Sequence, residues 1–119
     1  MLAPIAVSEI MQTPVETIEP DRSVREAASR LTGEGIGSLV VCEGAEPVGI
    51  ITDVDVTGLV AAGEDPEGTT VRDHMSSPLV TIREDALIER AAERIREHVV
   101  TPLPVVDDAG AIVGIVTTT

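Results

Sequence analysis

The sequence predicts an α/β (α+β) fold built from two tandem copies of one β-α-β-β-α motif. The copies span residues 7–62 and 71–119, with a linker at 63–70, and the second copy lacks its last helix. Three observations predict this. Matching residues recur at one offset of 64 positions. Each copy carries one amphipathic helical stripe. Each copy also runs two short apolar strands into a Gly-Ile-Ile/Val-Thr corner.

The repeat comes first, because a tandem duplication decides the fold. Val7-Ser8-Glu9-Ile10-Met11 matches Val71-Arg72-Asp73-His74-Met75, and Pro14 matches Pro78. Thr17-Ile18 matches Thr81-Ile82, and Ala27-Ala28 matches Ala91-Ala92. After one inserted residue in the second copy, Gly49-Ile50-Ile51-Thr52 matches Gly114-Ile115-Val116-Thr117.

In each copy a short helical turn (Val7 to Met11; Val71 to Met75) is stopped near Pro14 or Pro78. Brief extended pieces follow, Val15 to Ile18 and Leu79 to Ile82. Val24, Ala27, Ala28 and Leu31 then fall at i, i+3, i+4 and i+7, which predicts an amphipathic helix. Ser23 and Glu26 form a capping box for it, and Gly33 and Gly35 end it. Ile88, Ala91, Ala92 and Ile95 repeat the stripe, with Asp85 as the expected cap. Strands are predicted at Ser38 to Cys42 and Val48 to Thr52, and again at Leu103 to Val106 and Ala111 to Thr117. The connectors between them carry turn residues. A final helix, Asp53 to Ala62, follows copy one; in copy two the position matching Asp55 would come just after Thr119.

Composition narrows the function. The 119 residues include no Phe, Trp, Tyr or Lys, and 21 acidic residues against eight arginines give a net charge of −13. Such a surface repels nucleic acid and anionic lipid, and no apolar run reaches the length of a membrane span, so neither partner is expected. With no leader signature at the start, a cytoplasmic location is expected. The acid-rich, lysine-free composition resembles that of proteins from salt-loving microbes such as halophilic archaea. Cys42, the lone cysteine, reads as a buried small hydrophobe.

The corner Gly49 to Asp55 is the candidate site. A hydroxyl (Thr52) and a carboxylate (Asp55) three residues apart at a strand-to-helix turn suit a diol such as a ribose. The alternative is that Thr52 or Asp53 merely caps the helix and Asp55 favours its dipole. His74 and His98 belong to no metal or nucleophile spacing, and Glu64 to Glu67 and Asp107-Asp108 lack calcium-loop alternation. No metal, no required cofactor and no enzymatic activity are expected.

Taken together, Ile10-Met11 with Pro14, Val24 to Ala28, Gly37 to Val41, Leu103 to Asp107 and the two corners resemble a tandem pair of cystathionine-β-synthase (CBS) domains, over nearly the whole chain. The resemblance implies two copies packed sheet to sheet about a pseudo-twofold axis, with clefts that hold an adenosine-containing ligand: AMP, ATP or S-adenosylmethionine. It implies that Thr52 and Asp55 bind ribose hydroxyls, and that the backbone around Thr17-Ile18 and Thr81-Ile82 holds the base. It places Gly37, Ser38, Pro102 and Thr117 beside the ligand. Family members often carry a basic residue at Gly37-Ser38 or Thr101-Pro102 to meet phosphates. Its absence disfavours ATP and could favour a cationic ligand, with Arg22, Arg83 and His98 as the other basic side chains near. Such pairs are regulatory and usually dimerise. Here a homodimer is expected through Val54, Val56, Leu59 and Val60 of the Asp53–Ala62 helix. The alternative function is a non-binding module that dimerises or docks a partner.

Overall fold

The repeat returns as two three-stranded sheets of identical topology in the computed structural model, which describes residues 3–98 and 102–117. In chain order the elements are a 3-10 turn (Val7–Glu9), β1 (Thr17–Ile18), α1 (Val24–Glu34), β2 (Ser38–Glu43), β3 (Glu46–Thr52) and α2 (Asp53–Ala61). The second series is α3 (Val71–His74), β4 (Ile82–Arg83), α4 (Ile88–His98), β5 (Leu103–Val106) and β6 (Ile112–Val116). In each sheet the middle strand pairs parallel with the short first strand and antiparallel with the third. A register shift falls at the same place in both, between Val41 and Cys42 and between Val105 and Val106. The mixed α+β fold class is thus as expected.

The chain divides into two compact units, and the division does not follow the sequence copies. One unit is Glu16–Leu79; the other is Met1–Val15 together with Val80–Thr119. Each helical turn therefore packs in the body of the other copy. In the Glu16–Leu79 unit, the amides of Val71 and Arg72 donate to the carbonyls of Arg22 (2.8 Å) and Pro20 (2.9 Å). In the other unit, Val7 and Ser8 donate to Ala86 (2.8 Å) and Glu84 (3.0 Å), the same positions one repeat on. Val7 and Val71 are completely buried. Each contributes on the order of 2 kcal/mol by leaving water, which fixes the turn in place.

The first core gathers Ile18, Ala27, Leu31, Leu39, Val41, Ile51 and Val71; the second gathers Val7, Ile82, Ala91, Leu103, Val105 and Val116. The apolar stripes of α1 and α4 supply Ala27, Leu31 and Ala91, as their helical spacing requires. Gly35 closes α1 in the left-handed conformation at φ 64°, which glycine adopts without strain. Gly33 lies inside the helix rather than ending it.

Several local expectations need correction. Ser23 caps α1, accepting from the Glu26 amide at 3.0 Å, but the Glu26 carboxylate turns to Arg22 at 3.7 Å instead of closing the box. Asp85 does not cap α4. The residue at the Ser23 position is Leu87, which has no side-chain acceptor. The first helical amide, Ile88, is satisfied from outside the copy by the Ile5 carbonyl at 3.0 Å, and Asp85 pairs with Arg83. Cys42 is half-buried rather than buried, and that burial pushes its thiol pKa up. In α2, Leu59 is buried and Val56 packs against the first core, so only Val54 and Val60 of the four expected interface residues are exposed.

Candidate functional site

The Thr52–Asp55 corner forms where β3 ends and α2 begins at once. Gly49 permits this geometry. A Cβ there would meet Met75 Sδ at 2.6 Å and the Ser76 carbonyl oxygen at 2.9 Å. The close approach exists because Ile50 and Ser76 exchange backbone hydrogen bonds of 3.2 and 2.8 Å. Gly114 meets Met11 in the same way, and Gln12 and Ile115 exchange hydrogen bonds of 2.8 and 3.1 Å. Each Gly-Ile-x-Thr corner is therefore braced by the methionine of the opposite copy.

Thr52 is the N-cap of α2, and Asp55 is its third residue. Asp55 Oδ2 accepts from the Thr52 amide at 2.8 Å and from the Thr52 hydroxyl at 3.2 Å. The carboxylate is thus tied down at a helix N-terminus, where its charge is favoured. Asp55 and Thr52 are both partly exposed. Oδ1 accepts nothing from the described residues, while the Thr52 oxygen, which donates to Oδ2, also faces the Asp55 amide as in a capping box. The partly exposed carboxylate and hydroxyl lie at one corner, an arrangement that can take neighbouring hydroxyl donors.

Four more expected site residues lie in the same unit. Ser38 pairs with Thr52 in register across β2 and β3, so the two sit side by side. Gly37, one residue earlier, is exposed with open space where a side chain would project. Thr17 is exposed on β1 and Ile18 is buried in the core, so any contact from Ile18 is through its backbone. The Thr17 carbonyl is already taken by Arg30. β1 pairs with Val40 and Val41 rather than with the Ser38–Thr52 end of the sheet.

The remaining four lie in the other unit. Pro102 and Thr117, both half-buried, flank the Leu103–Val116 pair that ends the β5–β6 ladder. Thr117 lines an apolar cavity of about 320 Å³ with Ile10, Ile88, Ala91, Ile95 and Val116. The matching positions of the other copy lie on α1, β3 and α3, the elements against which α2 packs. Ile82 is buried, while Thr81 opens on a second cavity of about 310 Å³ lined also by Arg83, Asp85, Arg90 and Arg94. Sequence reasoning missed Arg90 and Arg94 at this place. Thr101, Thr118 and Thr119 lie outside the described residues.

The basic side chains expected near a phosphate are otherwise engaged. Arg22 is paired with Glu19 (3.0 Å) and Glu26 (3.7 Å), and the Glu19 hydrogen bond raises its pKa. Arg83 pairs with Asp85 at 3.1 Å and with Asp108; its hydrogen bond holds the Asp85 carboxyl below the usual carboxylate range. His98 is exposed at the end of α4, and His74 is half-buried against Glu64 at 3.1 Å. Among the described residues no cluster suits a metal ion, and no helix is long and apolar enough to cross a membrane.

Comparison with known proteins adds four findings. A family model for the CBS domain matches residues 7–62 and 71–119. An uncharacterized protein of Methanopyrus kandleri is 37% identical over 115 residues, which is 95% of this chain and 59% of that protein. A homoserine O-acetyltransferase of Methanosphaerula palustris is 32% identical over 111 residues, 92% of this chain but only 22% of the enzyme. The chain thus spans a part of the curated relatives it matches. Among solved structures, the CBS domain pair of protein MJ0100 in complex with 5′-methylthioadenosine and S-adenosyl-L-methionine superposes with a TM-score of 0.87 at 30% identity, covering 98% of this chain and 91% of that one.

Proposed function

Because this chain belongs to the CBS domain family, we propose that it is a regulatory module that senses an adenosyl ligand through the Thr52–Asp55 corner. The observation that carries the reading is the fixed carboxylate: Oδ2 is held by Thr52, and Oδ1 is left to accept from a ribose hydroxyl. Ser38 and Gly37 edge the same end of the sheet, and the backbone around Thr17–Ile18, apart from the Thr17 carbonyl held by Arg30, is left to meet the base. Thr81, Ile82, Pro102 and Thr117 are the corresponding group in the other unit. The solved relative that holds methylthioadenosine and S-adenosylmethionine supports this ligand class. The net charge of −13 favours S-adenosylmethionine over ATP. The same charge suits a cytoplasm rich in salt, as in a halophilic archaeon, and the module acts there without catalytic activity of its own, as a homodimer.

A second reading has one observation in its favour. The bonds from Thr52 to Asp55 are also those of a helix cap, which a purely structural, partner-docking module would keep. Calorimetric titration with AMP, ATP and S-adenosylmethionine in molar potassium chloride separates the two; the chain has no Trp or Tyr to report by fluorescence. The sensor reading expects saturable heat with one of the three. Silence from all three leaves the docking module.

A further inference from the structure

Across the repeat, one arginine loses its partners. In α1, Arg30 is held by Glu16 at 3.1 Å and Glu34 at 3.2 Å, and it donates to the Thr17 carbonyl. The matching residue in α4 is Arg94. At the matching places stand Val80 and His98, neither of which can supply a carboxylate. Among the described residues nothing accepts from Arg94, and its Nε is buried without a partner. A charged donor left unmatched in a half-buried place carries a desolvation cost that a bound anion would relieve.

Arg94 lines the 310 Å³ cavity with Thr81, Arg83, Asp85 and Arg90. Three of the eight arginines of a strongly acidic chain thus meet at one opening. Arg83 is committed to Asp85 and Asp108. Arg90 is paired with Glu93 at 3.0 Å and Glu97 at 3.6 Å, both exposed pairs of small worth that an incoming anion can compete with. Asp85, the one carboxylate on the lining, is neutralised by Arg83. The Thr81 hydroxyl completes a set of donors. We infer that this cavity is an oxyanion site in which Arg94 is the principal ligand and Arg90 and Thr81 are accessory donors to a phosphate group. A guanidinium meets such a group with two parallel N–H bonds. The inference shares Thr81 with the adenosyl reading but rests on Arg94, which that reading does not use.

The test is a titration of the whole chain with inorganic phosphate at constant ionic strength, followed by NMR of the arginine Nε–H and backbone amide signals. Saturable shifts are expected at Arg94 and Thr81, with Arg25, exposed and paired with Glu67 at 3.2 Å, as the reference. Arg94→Gln is expected to weaken binding about tenfold or more, the loss of one charged hydrogen-bonding group. Val80→Glu rebuilds the carboxylate partner seen at Arg30. Val80 is partly buried against the second core, so the backbone amide spectrum of this variant is first checked against the parent's; with the fold kept, the variant is expected to abolish the phosphate response, whatever the fate of the glutamine variant. AMP that shifts the same signals and is displaced by phosphate identifies a nucleotide as the source of the group. AMP that leaves them unmoved while phosphate shifts them identifies a free oxyanion. Equal shifts at Arg25 and Arg94, no saturation, or an undiminished response in Val80→Glu would each overturn the site.

Discussion

At Gly49 an added Cβ would press on both the Met75 sulfur and the Ser76 backbone oxygen, at 2.6 and 2.9 Å. The backbone cannot yield without breaking the Ile50–Ser76 bridge. Gly49→Ala should therefore destabilise the protein by about 1–3 kcal/mol, the usual cost of overpacking. Gly114 presses on Met11 Sδ, on Cγ at 2.7 Å and on Cβ at 3.0 Å, and rotation of the side chain cannot move Cβ off a backbone tied to Ile115 through Gln12. Gly114→Ala should cost a similar amount, and denaturant melts of the two variants, read side by side, check the match. The glycines were legible as matching members of the two repeated corners, but their neighbours were not, because each methionine comes from the distant copy. Ser23 was legible as a cap because Ser-x-x-Glu is a local signal. Asp85 was misread for the same reason: nothing local shows that the Ile5 carbonyl serves α4.

Among the elements, α2 was located in the sequence almost to the residue, yet its faces were not. Val54, Val56, Leu59 and Val60 spread round the helix, so no single stripe stands out. The structure divides them: Leu59 is 1% exposed, whereas Val54 and Val60 are 76% and 63% exposed. Leu59→Ala should cost about 2–5 kcal/mol through the cavity it leaves. Val54→Ser with Val60→Ser should change monomer stability by roughly 0.5 kcal/mol or less per site, while weakening the proposed homodimer, since exposed valines gain most by association. Sedimentation equilibrium reads the second effect. A double variant that associates as strongly as the parent places the interface elsewhere. The arginine cavity shows the reverse case. Its signal was present in the repeat, as Glu16 against Val80 and Glu34 against His98, but a comparison of matches passes over mismatches.

For the whole molecule, the duplication was plain because residues recur at one spacing, and it fixed the element order of both units. The exchange of helical turns between copies was not legible. Two copies with matching surfaces can dock a turn in their own body or in the other, and the repeat pattern is the same either way. The charge of −13 is a property at this scale too. Its self-repulsion opposes compactness and is screened by salt, with a Debye length of about 3 Å at molar strength. The thermal midpoint should therefore rise as potassium chloride increases from low to molar concentration; a fall would show that the charges are already matched in pairs. Molar salt is accordingly the condition for the decisive titration, calorimetry of S-adenosylmethionine with the parent chain and Asp55→Ala. The account predicts saturable binding by the parent and a loss of about 1–3 kcal/mol in the variant, as for a hydrogen bond to a charged group. Equal affinity in the two proteins would contradict it and take the ribose site away from the Thr52–Asp55 corner.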